Sequence, residues 1–191
     1  MRVIAGKYRS RPLRSLRGMD IRPTADRLRE TLFDVLCAGN PEALAGTTWL
    51  DLYAGTGAVG IEALSREARM VYFAESSKAA ADLIAANLKS LGVDSGFQIV
   101  RSETAKALRL WDSAGVRADY VFLDPPYRLR EEYEKVLGTL AESKMLGASS
   151  VVIAEHEKRF DPVAGDGGLH RYRKVEQGDV ALSFYSSQAA R

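Results

Sequence analysis

The sequence predicts an α/β fold, a doubly wound and mostly parallel sheet closed by an antiparallel C-terminal hairpin. Three observations predict it. Five short apolar runs, at 49–53, 71–74, 97–100, 120–123 and 151–154, are separated by stretches with helical character, the alternation that builds parallel sheets through crossover helices. A glycine-rich turn, Ala54-Gly55-Thr56-Gly57, lies directly between the first run and the helix after it. The last stretch changes period: residues 171–176 and 180–185 alternate around Gln177-Gly178-Asp179, as the strands of a hairpin do.

In chain order, residues 1–22 form a basic arm in which Val3, Ile4, Tyr8, Leu13 and Leu16 interleave with the charges, a pattern that predicts a short N-terminal β-hairpin. Pro23-Thr24-Ala25-Asp26 reads as a helix start, with Thr24 or a neighbour as cap and Asp26 in the first turn. Ala25, Leu28, Leu32, Val35 and Leu36 recur at helical spacing, so a helix over 24–38 buries one face. Asn40-Pro41 ends it before the strand Trp49-Leu50-Asp51-Leu52-Tyr53. Further helices are expected from the glycine turn to Arg66, over 77–91 with Gly92 as its stop, over 105–111, and over 131–145 with Tyr133, Val136, Leu137 and Leu140 inward. The expected organisation is an arm, 1–22, on a single body, 23–191.

The chain has 191 residues, 46% hydrophobic and 27% charged, which suits one ordinary globular core. No run approaches the roughly 20 apolar residues of a membrane-spanning helix, and the first residues lack the apolar segment of a secretory signal. A cytoplasmic protein with no membrane partner, expected as a monomer, follows. One cysteine, Cys37, leaves no internal disulfide. His156 and His170 offer no metal-ligand spacing, so no metal is expected. The net charge of +2 conceals an asymmetry: seven of the 27 basic residues (Arg2, Lys7, Arg9, Arg11, Arg14, Arg17 and Arg22) fall within 1–22, against one acid, Asp20. A basic arm on a mildly acidic body predicts a polyanionic partner, because neutralising phosphates supplies most sequence-independent affinity for nucleic acid.

Glycines 55, 57 and 60 form a G-x-G-x-x-G pattern that follows a strand and opens a helix, with an acid, Glu75, ending the next strand. Glycines let the backbone approach a ligand closely, the helix N-terminus offers N–H donors, and the acid accepts from ribose hydroxyls. The pattern alone fits both a dinucleotide dehydrogenase and an S-adenosylmethionine enzyme. Asp51 weighs towards the second, since a carboxylate just before the turn repels a pyrophosphate and attracts the ammonium of a methionine. The chain also leaves no room for a separate substrate domain.

Asp124-Pro125-Pro126-Tyr127 follows the apolar run Tyr120-Val121-Phe122-Leu123, at the edge of an α/β sheet where ligands bind. Two prolines fix two φ angles and remove two N–H donors, so with Asp124 they make an acceptor-rich lip beside the flat ring of Tyr127. Such a lip suits a planar molecule that presents an amino group. A carboxylate at 124 offers two acceptors, matching the adjacent N1–H and N2–H donors of guanine, whereas adenine sets an acceptor beside a donor.

Asp51-Leu52-Tyr53-Ala54-Gly55-Thr56-Gly57, the strand-end acid Glu75 and Asp124-Pro125-Pro126-Tyr127 together resemble the Rossmann-like class I methyltransferases of exocyclic amines. Ile4-Ala5-Gly6, Arg11-Pro12-Leu13 and the run Arg22-Pro23-Thr24-Ala25-Asp26-Arg27-Leu28-Arg29-Glu30-Thr31-Leu32-Phe33 extend the likeness along the chain. They resemble the bacterial methyltransferases that modify a guanine N2 amine of 16S ribosomal RNA.

The resemblance implies S-adenosylmethionine as cofactor and 16S ribosomal RNA, within a small-subunit particle or assembly intermediate, as partner. It implies cofactor contacts by Thr24, by Asp51, Tyr53, Ala54, Gly55 and Gly57 at the methionine end, by Glu75 and Ser76 at the ribose, and by Ser102, Glu103 and Thr104 near the adenine. It implies that Asp124, Pro125, Pro126 and Tyr127 hold the target amine and its base. Lys7, Arg9, Arg11, Arg14, Arg22, Arg128 and Arg130 are then the expected RNA contacts. Two alternatives stay open in the sequence: an adenine-N6 methyltransferase of DNA or another RNA, and a non-catalytic RNA-binding assembly factor.

Overall fold

A computed structural model describes residues 1–15, 23–162 and 168–187. Seven strands form one sheet: β1 (Thr48–Leu52), β2 (Met70–Ala74), β3 (Phe97–Val100), β4 (Ala118–Leu123), β5 (Leu146–Glu157), β6 (His170–Gln177) and β7 (Val180–Ser186). Their order across the sheet is β3-β2-β1-β4-β5-β7-β6. β1 to β5 run parallel, and β7 is antiparallel to both β5 and β6. This is the doubly wound sheet with a closing hairpin that the sequence predicts, and its strand order reverses between β1 and β4.

Five helices cover the two faces: α1 (Pro23–Leu36), α2 (Ala58–Ser65), α3 (Lys78–Leu91), α4 (Thr104–Ser113) and α5 (Glu131–Glu142). Alternation along the strands divides the apolar residues between them. Trp49, Phe73, Phe122 and Ile153 pack with Leu32 of α1, Ile61 of α2 and Ile84 of α3. Leu50, Leu123, Val152 and Ala154 pack instead with Trp111 of α4 and Leu137 of α5. The third glycine of the turn motif serves the first face: a Cβ on Gly60 would come within 2.3 Å of the Phe73 ring, so α2 reaches β2 only without a side chain there.

Element ends depart from the sequence reading for local reasons. Helix α5 stops at Glu142, because Ser143 turns to extended backbone at ψ 160 and its hydroxyl bonds the Leu140 carbonyl at 2.8 Å. Met145 is then buried in the connection rather than on the helix. Strand β5 begins five residues before the apolar run at 151. Its polar start is held by the Ala118 N–H donated to the Met145 carbonyl and by the Ser150 hydroxyl donated to the Ala118 carbonyl.

Residues 1–15 lie against the body as a short, irregular hairpin: Arg2 bridges Pro12 antiparallel, Val3 N–H donates to Arg11 at 3.0 Å and Leu13 N–H to Met1 at 3.1 Å, around a 3₁₀ turn at Gly6–Tyr8. Val3 and Leu13 are buried in the same core as α1. The fully buried Glu62 of α2 accepts the N–H groups of Ile4 and Ala5 at 2.7 and 2.9 Å, and Ser65 accepts the Tyr8 N–H at 2.9 Å. Gly6, at φ +76, passes so close that a Cβ would lie 1.9 Å from the Ser65 carbonyl oxygen.

Candidate active site

The C-terminal edge of the sheet carries a row of polar residues set by strand register. Ala74, Leu52, Leu123 and Ala154 are successive partners across β2, β1, β4 and β5. The next residue on each strand is therefore Glu75, Tyr53, Asp124 and Glu155 in that order. Asp51, two residues before Tyr53, lies in the same region, buried at 1% exposure. A cavity of about 1060 Å³ opens over this edge, at the strand-order reversal where α/β sheets bind ligands.

The cavity gathers most of the residues expected from the sequence. Asp124, Pro125, Pro126 and Tyr127 line it on the β4 side, and Asp51, Tyr53, Ala54, Gly55, Glu75 and Ser76 on the β1–β2 side. Glu103 and Thr104 close the end beneath α4. Gly57 and Ser102 are not among the lining residues. Gly57 donates its N–H to the Ala54 carbonyl at 2.7 Å and so shapes the turn, while Ser102 donates to Val100 at 3.0 Å. The side chain of Thr24 and the whole of Arg22 lie outside the described residues.

The acids are placed by backbone donors. Asp51 accepts the Gly60 N–H at 2.9 Å, which fixes it below the start of α2. Glu75 accepts the N–H of Gly55 at 2.9 Å with one oxygen and that of Ser77 at 2.8 Å with the other. This pairing ties the strand-end acid to the glycine turn. Tyr53 takes a left-handed conformation at φ 59, a strained geometry for a non-glycine residue, and its hydroxyl donates to Glu132 at 2.8 Å.

Burial raises the proton affinity of this edge. The Asp51 carboxyl is pushed up to about 8, chiefly by burial and further by the fields of Asp124 and Glu75, against the lowering effect of the Gly60 N–H. Asp124 is pushed up to about 7 by burial. Glu155 is held well above the usual carboxylate range by burial and then by the neighbouring Asp124. Such an edge favours a ligand that brings positive charge or several N–H donors. Two cationic residues line the cavity, Lys135 of α5 and Arg29 of α1, and the Arg29 Nε is the one buried side-chain nitrogen or oxygen without a hydrogen-bond partner among the described residues.

Sequence reasoning did not single out Asp26, Arg29, Glu132, Lys135 or Glu155 as part of this cavity. Glu155 carried a readable signal, an acid directly after the apolar run 151–154, the same signal that marked Glu75 and Asp124. The basic residues are not gathered in the cavity. Lys7, Arg9, Arg11 and Arg14 are exposed on the docked arm, with Arg11 donating to the Ser90 carbonyl at 3.3 Å. Arg128 is exposed in the loop after β4, whereas Arg130 pairs with Glu157 at 2.9 Å and stacks on Phe160 at 5.1 Å. Among the described residues no cluster of three or more His, Cys, Asp or Glu could hold a metal, and no helix is long and apolar enough to cross a membrane.

Residues 1–186 match the family described as Conserved hypothetical protein 95. The chain belongs to this family. Ribosomal RNA small subunit methyltransferase D of Escherichia coli K12 is 31% identical over 191 residues, covering 99% of this chain and 91% of that protein. The protein of the same name from Haemophilus influenzae is 34% identical over 158 residues, covering 83% and 79%. Among solved structures, yhhF from Escherichia coli superposes with a TM-score of 0.81 at 31% identity, covering 97% of both chains. HI0767 from Haemophilus influenzae does so at 0.77 and 28%, covering 98% of both. The fold of this family member is accordingly Rossmann-like, of the class I methyltransferase type.

Proposed function

We propose that this chain transfers a methyl group from S-adenosylmethionine to the exocyclic N2 amine of a guanine in 16S ribosomal RNA. One observation carries the reading: the glycine turn with Asp51 and Glu75 opens on the same cavity as Asp124-Pro125-Pro126-Tyr127. Family membership and the relatives named as small-subunit ribosomal RNA methyltransferases support it.

The residues present fit the cofactor's charges. Asp51 and the acids beside it suit an ammonium and a sulfonium, and the unpartnered Nε of buried Arg29 suits the methionine carboxylate. Glu75 keeps lone pairs for ribose hydroxyls beyond those given to Gly55 and Ser77. When bound, S-adenosylmethionine supplies a methyl group activated by its positively charged sulfur.

The chain's own task is to make an amine nucleophilic and aim it. An exocyclic amine is weakly nucleophilic because its lone pair is delocalised into the ring. Asp124 and the Pro125 carbonyl accept its N–H bonds and draw the nitrogen towards a tetrahedral geometry. Their hold strengthens as the nitrogen gains positive charge, so it stabilises the transition state more than the bound base. The stiff Pro-Pro backbone fixes the line of approach, and alignment supplies much of the acceleration. Tyr127, 39% exposed at the lip, offers its ring to an extruded base. The exposed Lys7, Arg9, Arg11, Arg14 and Arg128 would take phosphates of a small-subunit particle or its assembly intermediate.

Mass spectrometry of nucleosides from 16S ribosomal RNA of a strain lacking this gene tests the proposal. The expected result is one N2-methylguanosine fewer per RNA, restored by the gene in trans. An unchanged content of that nucleoside overturns it.

A further inference from the structure

Glu62 and Glu155 show what separates a structural acid from an unassigned one. Glu62 is fully buried and saturated, with the N–H groups of Ile4 and Ala5 and the Arg66 guanidinium at 2.7 to 2.9 Å. Glu155 lines the main cavity, yet among the described residues its carboxylate receives no hydrogen bond. Its sequence neighbours are committed elsewhere: Glu157 to Arg130 at 2.9 Å, and His156 through Nε2 to Ser183 at 2.8 Å. Its backbone is held, by pairing with Leu182 of β7 and by the Tyr133 hydroxyl, which donates to its carbonyl at 2.7 Å.

Its place in the row is informative. Glu155 follows Ala154, the registered partner of Leu123, so it stands beside Asp124 at about one strand spacing, ~4.8 Å. Residues at paired positions of parallel strands share a face, and Phe122 and Ile153, two residues back, both belong to the core beneath α1 to α3. Asp124 therefore has the glycine turn, Asp51 and Glu75 on one side and Glu155 on the other. If the cofactor occupies the β1–β2 side, Glu155 lies on the side left for the target base, with Leu182 of β7 as the cavity wall beyond it.

We propose that Glu155 is a specificity residue of the base site, accepting the ring N1–H of guanine while Asp124 and the Pro125 carbonyl hold the exocyclic amine. The inference rests on the guanine-N2 reading and deepens it. Two neighbouring half-buried carboxylates repel one another unless donors lie between them, and desolvation with the field of Asp124 already raises the proton affinity of Glu155. Guanine presents three N–H bonds along one edge, enough for one carboxylate to meet N1–H and the other to share the amine with a carbonyl. A purine that keeps the 2-amine but has a lone pair at N1 would set that lone pair against Glu155. Sites built around a hydrogen bond reject analogues lacking it strongly, because a buried group is left unpaired.

The test compares guanine with 2-aminopurine, which carries the same amine but no N1 hydrogen. Single-turnover methyl transfer is followed on 16S ribosomal RNA rebuilt by ligation with either base at the position the wild-type protein methylates. The wild type is expected to favour guanine by about 100-fold or more. Glu155→Gln, whose amide can donate to an N1 lone pair, is expected to shrink that preference to about tenfold or less, with S-adenosylmethionine binding unchanged by calorimetry. An unchanged preference, or equal losses on both bases with cofactor binding intact, overturns the role of Glu155 and leaves the guanine reading standing. Failure of the wild type to methylate any guanine overturns both.

Discussion

At the level of single residues, the buried acids of the cavity link chemistry to stability. Asp51 and Asp124 have folded values of about 8 and about 7 against an ordinary 3.8. Between those limits the folded protein binds more protons than the unfolded chain, so these groups make unfolding easier as pH rises. Their stabilising effect is complete below about pH 4 and lost as pH climbs through 7 and 8. A cationic ligand reverses the balance by favouring the ionised forms. The melting temperature of the ligand-free protein should therefore fall from pH 5 to pH 8, and S-adenosylmethionine should raise it more at pH 8 than at pH 5. An equal or larger gain at pH 5 would contradict the assignment of these acids to the cofactor side. Asp51, Glu75 and Asp124 were legible in the sequence because each ends or interrupts an apolar run at a strand's C-terminal end. Arg29 was not legible: it sits mid-helix, and only the packing of α1 over the sheet brings it to the cavity.

At the level of elements, the arm was legible as a pairing of strands but not in how it docks on the body. Its alternation of apolar and basic residues predicts a hairpin, and residues 1–3 and 11–13 do pair antiparallel, Val3 N–H donating to Arg11 at 3.0 Å and Leu13 N–H to Met1 at 3.1 Å, around a 3₁₀ turn. The backbone donors of Ile4, Ala5 and Tyr8 are taken by Glu62 and Ser65 of α2 rather than by a partner strand. Such long-range side-chain docking leaves no local periodicity to read. Gly6→Ala should lift this segment, since the new Cβ meets the Ser65 carbonyl at a left-handed φ. A loss of about 1–3 kcal/mol in docking is expected, seen as faster tryptic cleavage after Lys7 and Arg9 and weaker RNA binding. Unaltered cleavage kinetics would show that the arm does not depend on this contact.

For the whole molecule, the alternation of strands and helices and the period change at 171–185 were enough to anticipate the sheet, because each parallel strand must be followed by a crossover. Strand order and register were not in the sequence, and they are what place Glu75, Tyr53, Asp124 and Glu155 side by side. A cofactor side and an amine-holding lip share one cavity, with Asp124 between them, and the basic arm docks on the body outside it. The most direct measurement of that claim is methyl transfer by Asp124→Ala to 16S ribosomal RNA from the deletion strain, with S-adenosylmethionine binding measured on the same preparation. Turnover should fall by at least about 1000-fold, the scale of an electrostatic group lost from a transition state, with cofactor affinity kept within severalfold. Turnover near the wild-type rate would contradict it.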